Sequence, residues 1–380
     1  MQTWKWLYTP SYHWRFLAKV VIKAAVLFAV LNLVFALLDP LPVLGKLSAY
    51  NLLLPGRARL PYGENHDVAY NLSLFQLDAM FASHTVAQSK ADDEYRVLVI
   101  GDSSVWGILL EPEDTLTGQI NRGQYETADG RRVRAYNLGY PTMSLTKDLM
   151  LLDYATRYEP DLIVWLFTLE SFGQEAQLDS AIVQHNPAPV RTLIRRYDLN
   201  QDTEDARFVE PTFWEKTIVG QRRPLADLLR LQLYGMAWAV TGIDQEYPEY
   251  TPRSIDLEAD TTWQGHEGPA FATGDLAFDV VQAGVDRAGT VPILLINEPM
   301  FISQGENSDI RYNFFYPRWA YDSYRELLHK QSDQHNWPLL DLWDAIPEAA
   351  CYTDSPVHLT PECSAELGNM IGEAIIDMAD

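Results

Sequence analysis

From residue 94 onward, short apolar runs alternate with stretches whose apolar residues recur every three or four positions. Runs of four to six residues have the length of buried strands, and stretches such as 144–158 have the period of a helix. Strands and helices in alternation are typical of a mainly parallel sheet with helices on both faces. The pattern therefore predicts an α/β fold with five strands, at residues 96–100, 133–137, 162–167, 292–297 and 339–342.

The third and fourth predicted strands are about 125 residues apart, far more than one crossover connection needs. We interpret about 172–275 as an insertion into a domain that spans 94–380. The insertion contains the apolar segment PLADLLRLQLYGMAWAVTGI, which Asp227 and Arg230 interrupt. A helix packed on the sheet, a cap over a site and a surface that rests on a membrane all remain open for this segment.

Residues 20–38 form a longer apolar run that contains one charged residue, Lys23. A helix over this run is about 28 Å long, close to the roughly 30 Å hydrocarbon core of a bilayer. The ending FALLDPLP is a poor cleavage site, which favours an uncleaved signal anchor over a cleaved signal peptide or a soluble helix. We expect residues 1–40 to hold a cytoplasmic tip and the anchor, and 41–93 to form a juxtamembrane linker with lead-in helices.

Charge separates the start of the chain from its body. Residues 1–60 contain seven lysines and arginines and one acid, whereas the whole chain has a net charge of -23. Basic residues before the span predict a cytoplasmic amino end and a body on the other side. The acidic body argues against nucleic acid as a partner. Neither His-Glu-x-x-His nor a glycine-rich phosphate loop occurs, so we expect no metal and no cofactor.

The first strand runs into a polar turn, VLVIGDSS, which presents Ser103 at the carboxyl edge of the predicted sheet. A serine nucleophile needs a base, usually histidine, that a carboxylate orients. Of the eight histidines, His358 follows the last predicted strand and has Asp354 four residues before it. In isolation, Ser103 would be an ordinary turn residue and the other two a surface pair.

The only two cysteines, Cys351 and Cys363, flank the segment that carries His358. An even number of cysteines in an extracytoplasmic body permits a disulfide, which would hold the loop of the base in place. Two unrelated buried thiols are the alternative.

Three blocks in this order resemble the SGNH (GDSL) hydrolase superfamily: GDSS after the first strand, the glycine of NLGYP after the second, and DSPVHLTPE near the end. The resemblance covers about residues 94–171 and 290–380. It implies a three-layer, flavodoxin-like sandwich with Ser103 as nucleophile, His358 as general base and Asp354 as the orienting acid. It also implies that the backbone N–H groups of Ser103 and Gly139 contribute to an oxyanion hole.

The chain departs from the family pattern in two places. The third block reads FTLESF, which puts Glu170 where the family has an asparagine, and an ionised glutamate cannot donate a hydrogen bond. Either Thr168 or Ser171 then helps as a donor, or the oxyanion hole has one donor fewer. The acid usually precedes the histidine by three residues rather than four. Two further residues stay open: Asn297 is either a substrate contact or part of a structural turn, and Trp106 lines a sugar or acyl pocket or belongs to the core.

Taken together, the anchor and the resemblance imply a membrane-anchored extracytoplasmic serine esterase or O-acyltransferase. Tethered members of the superfamily often act with membrane-bound O-acyltransferases on envelope glycans. We therefore expect acyl esters, acetyl above all, of a cell-envelope polysaccharide as substrate, the bilayer as partner through residues 20–38, and a membrane-bound O-acyltransferase as a further partner. An inactive scaffold that binds glycan or a membrane protein is the alternative, and the distance from Ser103 to His358 distinguishes the two.

Overall fold

Five parallel strands form one sheet in the order β2-β1-β3-β4-β5. The structure is a computed structural model and describes residues 13–54, 56–62, 76–241, 250–272 and 274–379. This is the strand order of flavodoxin-like sheets, so the predicted α/β class is confirmed. Each strand lies within two residues of its predicted bounds. The strands are β1 (Glu94–Ile100), β2 (Arg132–Asn137), β3 (Leu162–Phe167), β4 (Ile293–Asn297) and β5 (Leu339–Asp341).

Helices precede the first strand, lie between the strands and follow the last one. A short 3-10 turn, Leu169–Phe172, follows β3 directly. The α-helices of the described residues are α1 (Trp14–Leu38), α2 (Leu41–Gly45), α3 (Ala49–Leu53), α4 (Leu77–Ser83), α5 (Ser103–Trp106), α6 (Leu116–Arg122), α7 (Leu145–Ala155), α8 (Ala181–Gln184), α9 (Pro187–Tyr197), α10 (Arg222–Thr241), α11 (Phe278–Ala288), α12 (Arg318–His335) and α13 (Pro361–Ala379).

Both faces of the sheet are covered, which explains why β3 is apolar throughout and β1 is apolar from Val97 onward. Leu98 and Ile100 of β1 belong to a core shared with α7, α11 and α12. Val97 and Val99, which point to the opposite face, pack with α6 and α13. Because all five strands are parallel, their carboxyl ends lie at one edge of the sheet, where polar loops can converge without disturbing the core.

The inserted segment divides into two parts with different neighbours. Helices α8 and α9 pack against α7, on one face of the sheet. Helix α10 instead contacts α3 in the juxtamembrane segment. The possibility that the apolar segment of the insertion packs on the sheet is therefore wrong.

Most of helix α1 is exposed. Its most apolar 18-residue window has a mean hydropathy of 2.6, and 11% of that window is buried. Within the described part of the chain, it is the helix that is long and apolar enough to cross a membrane.

Candidate active site

Ser103 is the first residue of α5, immediately after β1, and is nearly buried. Asp102 caps this short helix, because its Oδ1 accepts a hydrogen bond of 2.8 Å from the backbone N–H of Ser104. Asp354 and His358 lie on the loop between β5 and α13. The strand order brings this loop and the β1 turn to the same edge of the sheet.

The side chains of Ser103, His358 and Asp354 form a continuous chain of hydrogen bonds, the relay. His358 Nε2 lies 2.8 Å from Ser103 Oγ, and His358 Nδ1 lies 2.8 Å from Asp354 Oδ1. The imidazole is 8% exposed, whereas the Asp354 side chain is 38% exposed. The hydrogen bond from His358 lowers the pKa of Asp354 below its usual value. With Nδ1–H held by the carboxylate, Nε2 is free to take the serine proton. The four-residue spacing is compatible with this arrangement.

A disulfide closes the loop that carries the base. Cys351 and Cys363 are bonded, with their Cα atoms 5.5 Å apart. Inside the loop, the Thr353 N–H donates to the His358 carbonyl at 2.9 Å, and the Thr360 N–H donates to the Cys351 carbonyl at 2.8 Å. The loop is thus held by both a covalent bond and backbone hydrogen bonds.

The insertion also holds this loop, through Arg253. Its guanidinium donates to the carbonyl oxygens of Thr353 at 2.7 Å and Ala349 at 3.1 Å. It also stacks over the ring of Phe301, 3.7 Å from the ring centre. The carbonyl of Thr353 directly precedes Asp354, so Arg253 fixes the backbone from which the orienting acid extends.

The two backbone N–H groups predicted for the oxyanion hole, those of Ser103 and Gly139, differ in their hydrogen bonding. In the described part of the chain, the Ser103 N–H donates to no other group, as is usual in the first turn of a helix. The Gly139 N–H is already engaged, since it donates to Asn137 Oδ1 at 3.1 Å. Gly139 is needed for a different reason, since a Cβ there would lie 2.4 Å from the Trp106 nitrogen.

Glu170 lies in the turn after β3, as predicted, but it faces the insertion. Its Oε1 accepts from the Gln264 side chain at 2.8 Å, and its Oε2 accepts from the Trp263 indole at 3.1 Å. Burial raises the pKa of this carboxyl above its usual value. Glu170 therefore ties the insertion to the carboxyl end of β3, and this role explains why an acceptor stands where a donor was expected.

Asn297 is a structural residue rather than a substrate contact. It is fully buried at the end of β4, and its Nδ2 donates to Asp341 Oδ1 at 2.8 Å. Its Oδ1 accepts from the hydroxyls of Tyr321 at 3.3 Å and Tyr324 at 3.1 Å. These contacts join the end of β4 to the neighbouring strand β5 and to α12.

Trp106 belongs to the core. It is 3% exposed, and its indole N–H donates to the Leu60 carbonyl at 2.8 Å. The buried Arg59 guanidinium lies over its ring, 4.4 Å from the centre, and donates to the Gly107 carbonyl at 2.8 Å. The juxtamembrane segment thus packs against the carboxyl end of the helix that begins with Ser103, and Trp106 is a core residue in this structure.

A buried polar layer beneath the nucleophile was not predicted as a group. Ser104 Oγ donates to Glu298 Oε2, while Glu298 Oε1 has no hydrogen-bond partner within the described residues. A cavity of about 20 Å³ lies between these two residues and Ser364, which is room for one water molecule. Burial and the charge of Asp102 raise the pKa of Glu298 well above its usual value of 4.5.

Lys147 of α7 completes this layer. Its ammonium donates to the carbonyls of Gly101 at 2.8 Å and Tyr140 at 3.0 Å, and lies 2.6 Å from Asp148 Oδ1. Burial raises the pKa of Asp148 to about 6. The lysine joins the turns after β1 and β2, so it holds the backbone before the nucleophile. Its signal in the sequence is a charge within the apolar helical period of SLTKDLMLL.

Comparisons with known proteins add only distant likenesses. No protein-family model matches the chain, and no curated protein sequence matches it. Among solved structures, a member of the lipolytic protein G-D-S-L family from Veillonella parvula is similar at 9% identity and a TM-score of 0.36, over 74% of this chain and 98% of that one. The lipase/acylhydrolase from Enterococcus faecalis is similar at 16% identity and a TM-score of 0.35, over 74% and 96%. At these values the likeness carries no conclusion about function.

Proposed function

We propose that the chain is a membrane-anchored serine hydrolase or O-acyltransferase in which Ser103 is the nucleophile. The observation that carries the proposal is the relay from Ser103 Oγ through His358 to Asp354, with both hydrogen bonds at 2.8 Å. The order of the sequence blocks, which resembles that of SGNH hydrolases, supports the same roles.

The chemistry follows from the relay. Ser103 Oγ attacks an ester carbonyl while its proton passes to His358 Nε2, and the imidazolium that forms is stabilised by the Asp354 carboxylate. The Ser103 N–H supplies one hydrogen bond to the oxyanion. Collapse of the tetrahedral intermediate breaks the ester C–O bond, and His358 returns the proton to the departing alcohol. Water then releases the acid from the acyl-enzyme, or a sugar hydroxyl accepts the acyl group.

For the substrate, we propose acyl esters of a cell-envelope polysaccharide, acetyl above all. Helix α1 supports an anchored enzyme, because it is long and apolar enough to cross a bilayer. The disulfide in the catalytic loop supports a body outside the cytoplasm, where such bonds persist. A membrane-bound O-acyltransferase is the proposed partner, since it would supply the acyl groups that the relay moves.

A scaffold without activity is the second candidate, and one observation favours it. Of the two backbone N–H groups expected in the oxyanion hole, that of Gly139 already donates to Asn137. Loss of one oxyanion donor costs about 10²–10³ in rate. The intact relay favours the enzyme, because a scaffold has no need to hold His358 within 2.8 Å of Ser103.

The experiment is release of acetate from an acetylated polysaccharide by the full-length chain in nanodiscs, with an unacetylated glycan added as acceptor. We expect acetate, or acetyl groups on the acceptor, from the wild type and neither from Ser103→Ala. Glycan binding without any acyl turnover by the wild type would favour the scaffold.

A further inference from the structure

We propose that one side of the body lies in the headgroup layer of the bilayer, beside the anchor. This surface, the collar, consists of α2, α3, residues 212–221 and α10. Contiguous exposed apolar surface of this kind marks an interaction site rather than an ordinary soluble surface. Its six most exposed large apolar side chains are Leu52, Leu53, Trp214, Leu229, Leu233 and Val240, each 70–87% exposed.

Helix α10 is amphipathic, but its apolar face points outward, whereas the apolar face of a helix on a soluble protein points to the core. Leu229, Leu233 and Val240 share one face by helical spacing and are all at least 70% exposed. Asp227 is buried on the protein side, where Arg230 pairs with it at 3.1 Å. Polar contacts inward and leucines outward are the arrangement of a helix that lies on a membrane.

The collar is continuous with the proposed anchor. The side chain of Gln232 in α10 bonds the Leu47 carbonyl at 3.0 Å and the Ala49 N–H at 2.7 Å. Lys216 pairs with Asp39, the residue that ends α1, at 2.9 Å. These contacts hold the exposed leucines of α10 and α3 next to the point where α1 leaves the bilayer.

A hydrogen bond between the collar and α1 indicates how deep the collar lies in the bilayer. The Val219 N–H donates to Asn32 Oδ1 at 3.1 Å. Asn32 lies six residues before the end of α1, which is about 9 Å at a rise of 1.5 Å per residue. If 20–38 fills the hydrocarbon core, Lys216, which pairs with Asp39, lies at its boundary and Val219 enters its outer part. Trp214, 72% exposed, then lies where tryptophan is enriched in membrane proteins.

This depth favours lipid over a soluble protein as the occupant, because a soluble partner cannot reach the level of Asn32. The inference rests on the proposed anchoring through α1. It has a consequence for the site, since the same insertion carries Arg253, which holds the loop of His358. A collar seated in the headgroups would fix the catalytic loop relative to the membrane surface.

The test uses the full-length chain in nanodiscs that contain spin-labelled lipids. Both native cysteines are in the disulfide, so one introduced cysteine can carry an environment-sensitive fluorophore. The test positions are Trp214→Cys and Leu233→Cys. Ile255→Cys is the matched control, because Ile255 is an exposed apolar residue of the same insertion outside the collar. Val26→Cys, in the middle of α1, reports on the anchor.

We expect labels at 214 and 233 to lose most of their emission to the lipid quencher, as the label at 26 does, while the label at 255 keeps its emission. Quenching at 26 but not at 214 and 233 would overturn the collar and leave the anchor intact. No quenching at 26 would overturn the anchor in the proposed function as well as the collar.

Discussion

Removal of the disulfide separates the contribution of the covalent bond from that of the hydrogen bonds in the catalytic loop. The bond joins residues 12 apart, and closing a loop of that length in the unfolded chain is worth about 3 kcal/mol in the chain-entropy model. We therefore expect Cys351→Ser with Cys363→Ser to lower the free energy of unfolding by about 3 kcal/mol. The Thr353–His358 and Arg253 contacts remain, so the relay should still assemble in the folded variant.

The assay is thermal unfolding of the full-length chain, combined with the rate of labelling by a fluorophosphonate serine probe well below the unfolding transition. The wild type treated with reductant is the matched control. We expect a clear fall in melting temperature and a labelling rate within an order of magnitude of the wild type. An unchanged melting temperature would refute the stabilising role. Complete loss of labelling in a folded variant would show that the disulfide, not the hydrogen bonds, places His358.

Three further substitutions test ionisable groups in the relay and in the polar layer beneath it. A raised pKa means that folded Glu298 keeps a proton that the unfolded chain releases above pH 4.5, so wild-type stability falls as pH rises. Between pH 4 and pH 8, the melting temperature of Glu298→Gln should therefore rise relative to that of the wild type. Lys147→Met leaves the buried Asp148 with its hydrogen bond from Trp165 but without its ion-pair partner, and we expect the free energy of unfolding by denaturant to fall by about 3–5 kcal/mol. Because the pKa of Asp354 is lowered in the folded chain, its carboxylate stabilises the fold above the unfolded pKa, and this stabilisation is lost as pH falls. Asp354→Asn should therefore lower the free energy of unfolding more at pH 7 than at pH 3. The same variant should hydrolyse esters much more slowly than the wild type at pH 7.

Each of these expectations has a contrary result. A Glu298→Gln difference that is constant with pH would mean an ordinary pKa for this carboxyl. Full stability of Lys147→Met would mean that the ammonium does not hold the turns after β1 and β2. An Asp354→Asn cost that is equal at both pH values would mean that the aspartate does not gain from His358 in the folded state.

The strands and the relay were open to prediction because their signals are local. Each strand is a short apolar run, and Ser103 and His358 each follow such a run. A parallel sheet collects the carboxyl ends of its strands at one edge, so residues 255 apart could be expected to meet there.

The residues whose roles the sequence left open or could not assign depend on partners that spacing does not reveal. Gly139 donates to a side chain two residues away, and Glu170 bonds the insertion 93 and 94 residues later. Asn297 and Trp106 are polar or large residues near the edge of the site, yet both are satisfied inside the core. The outward-facing leucines of α10 owe their position to contacts of Gln232 with residues 183 and 185 positions earlier in the chain.

The measurement that tests the central claim most directly is fluorophosphonate labelling of the full-length chain, with the modified residue identified by peptide mass mapping. His329→Ala is the matched control for His358→Ala, since His329 also bonds an aspartate, Asp341, at 2.7 Å but does so away from Ser103. We predict an adduct on Ser103 that is lost in Ser103→Ala and His358→Ala and kept in His329→Ala. A folded wild type that forms no adduct, or one that is modified at a different serine, would contradict the account.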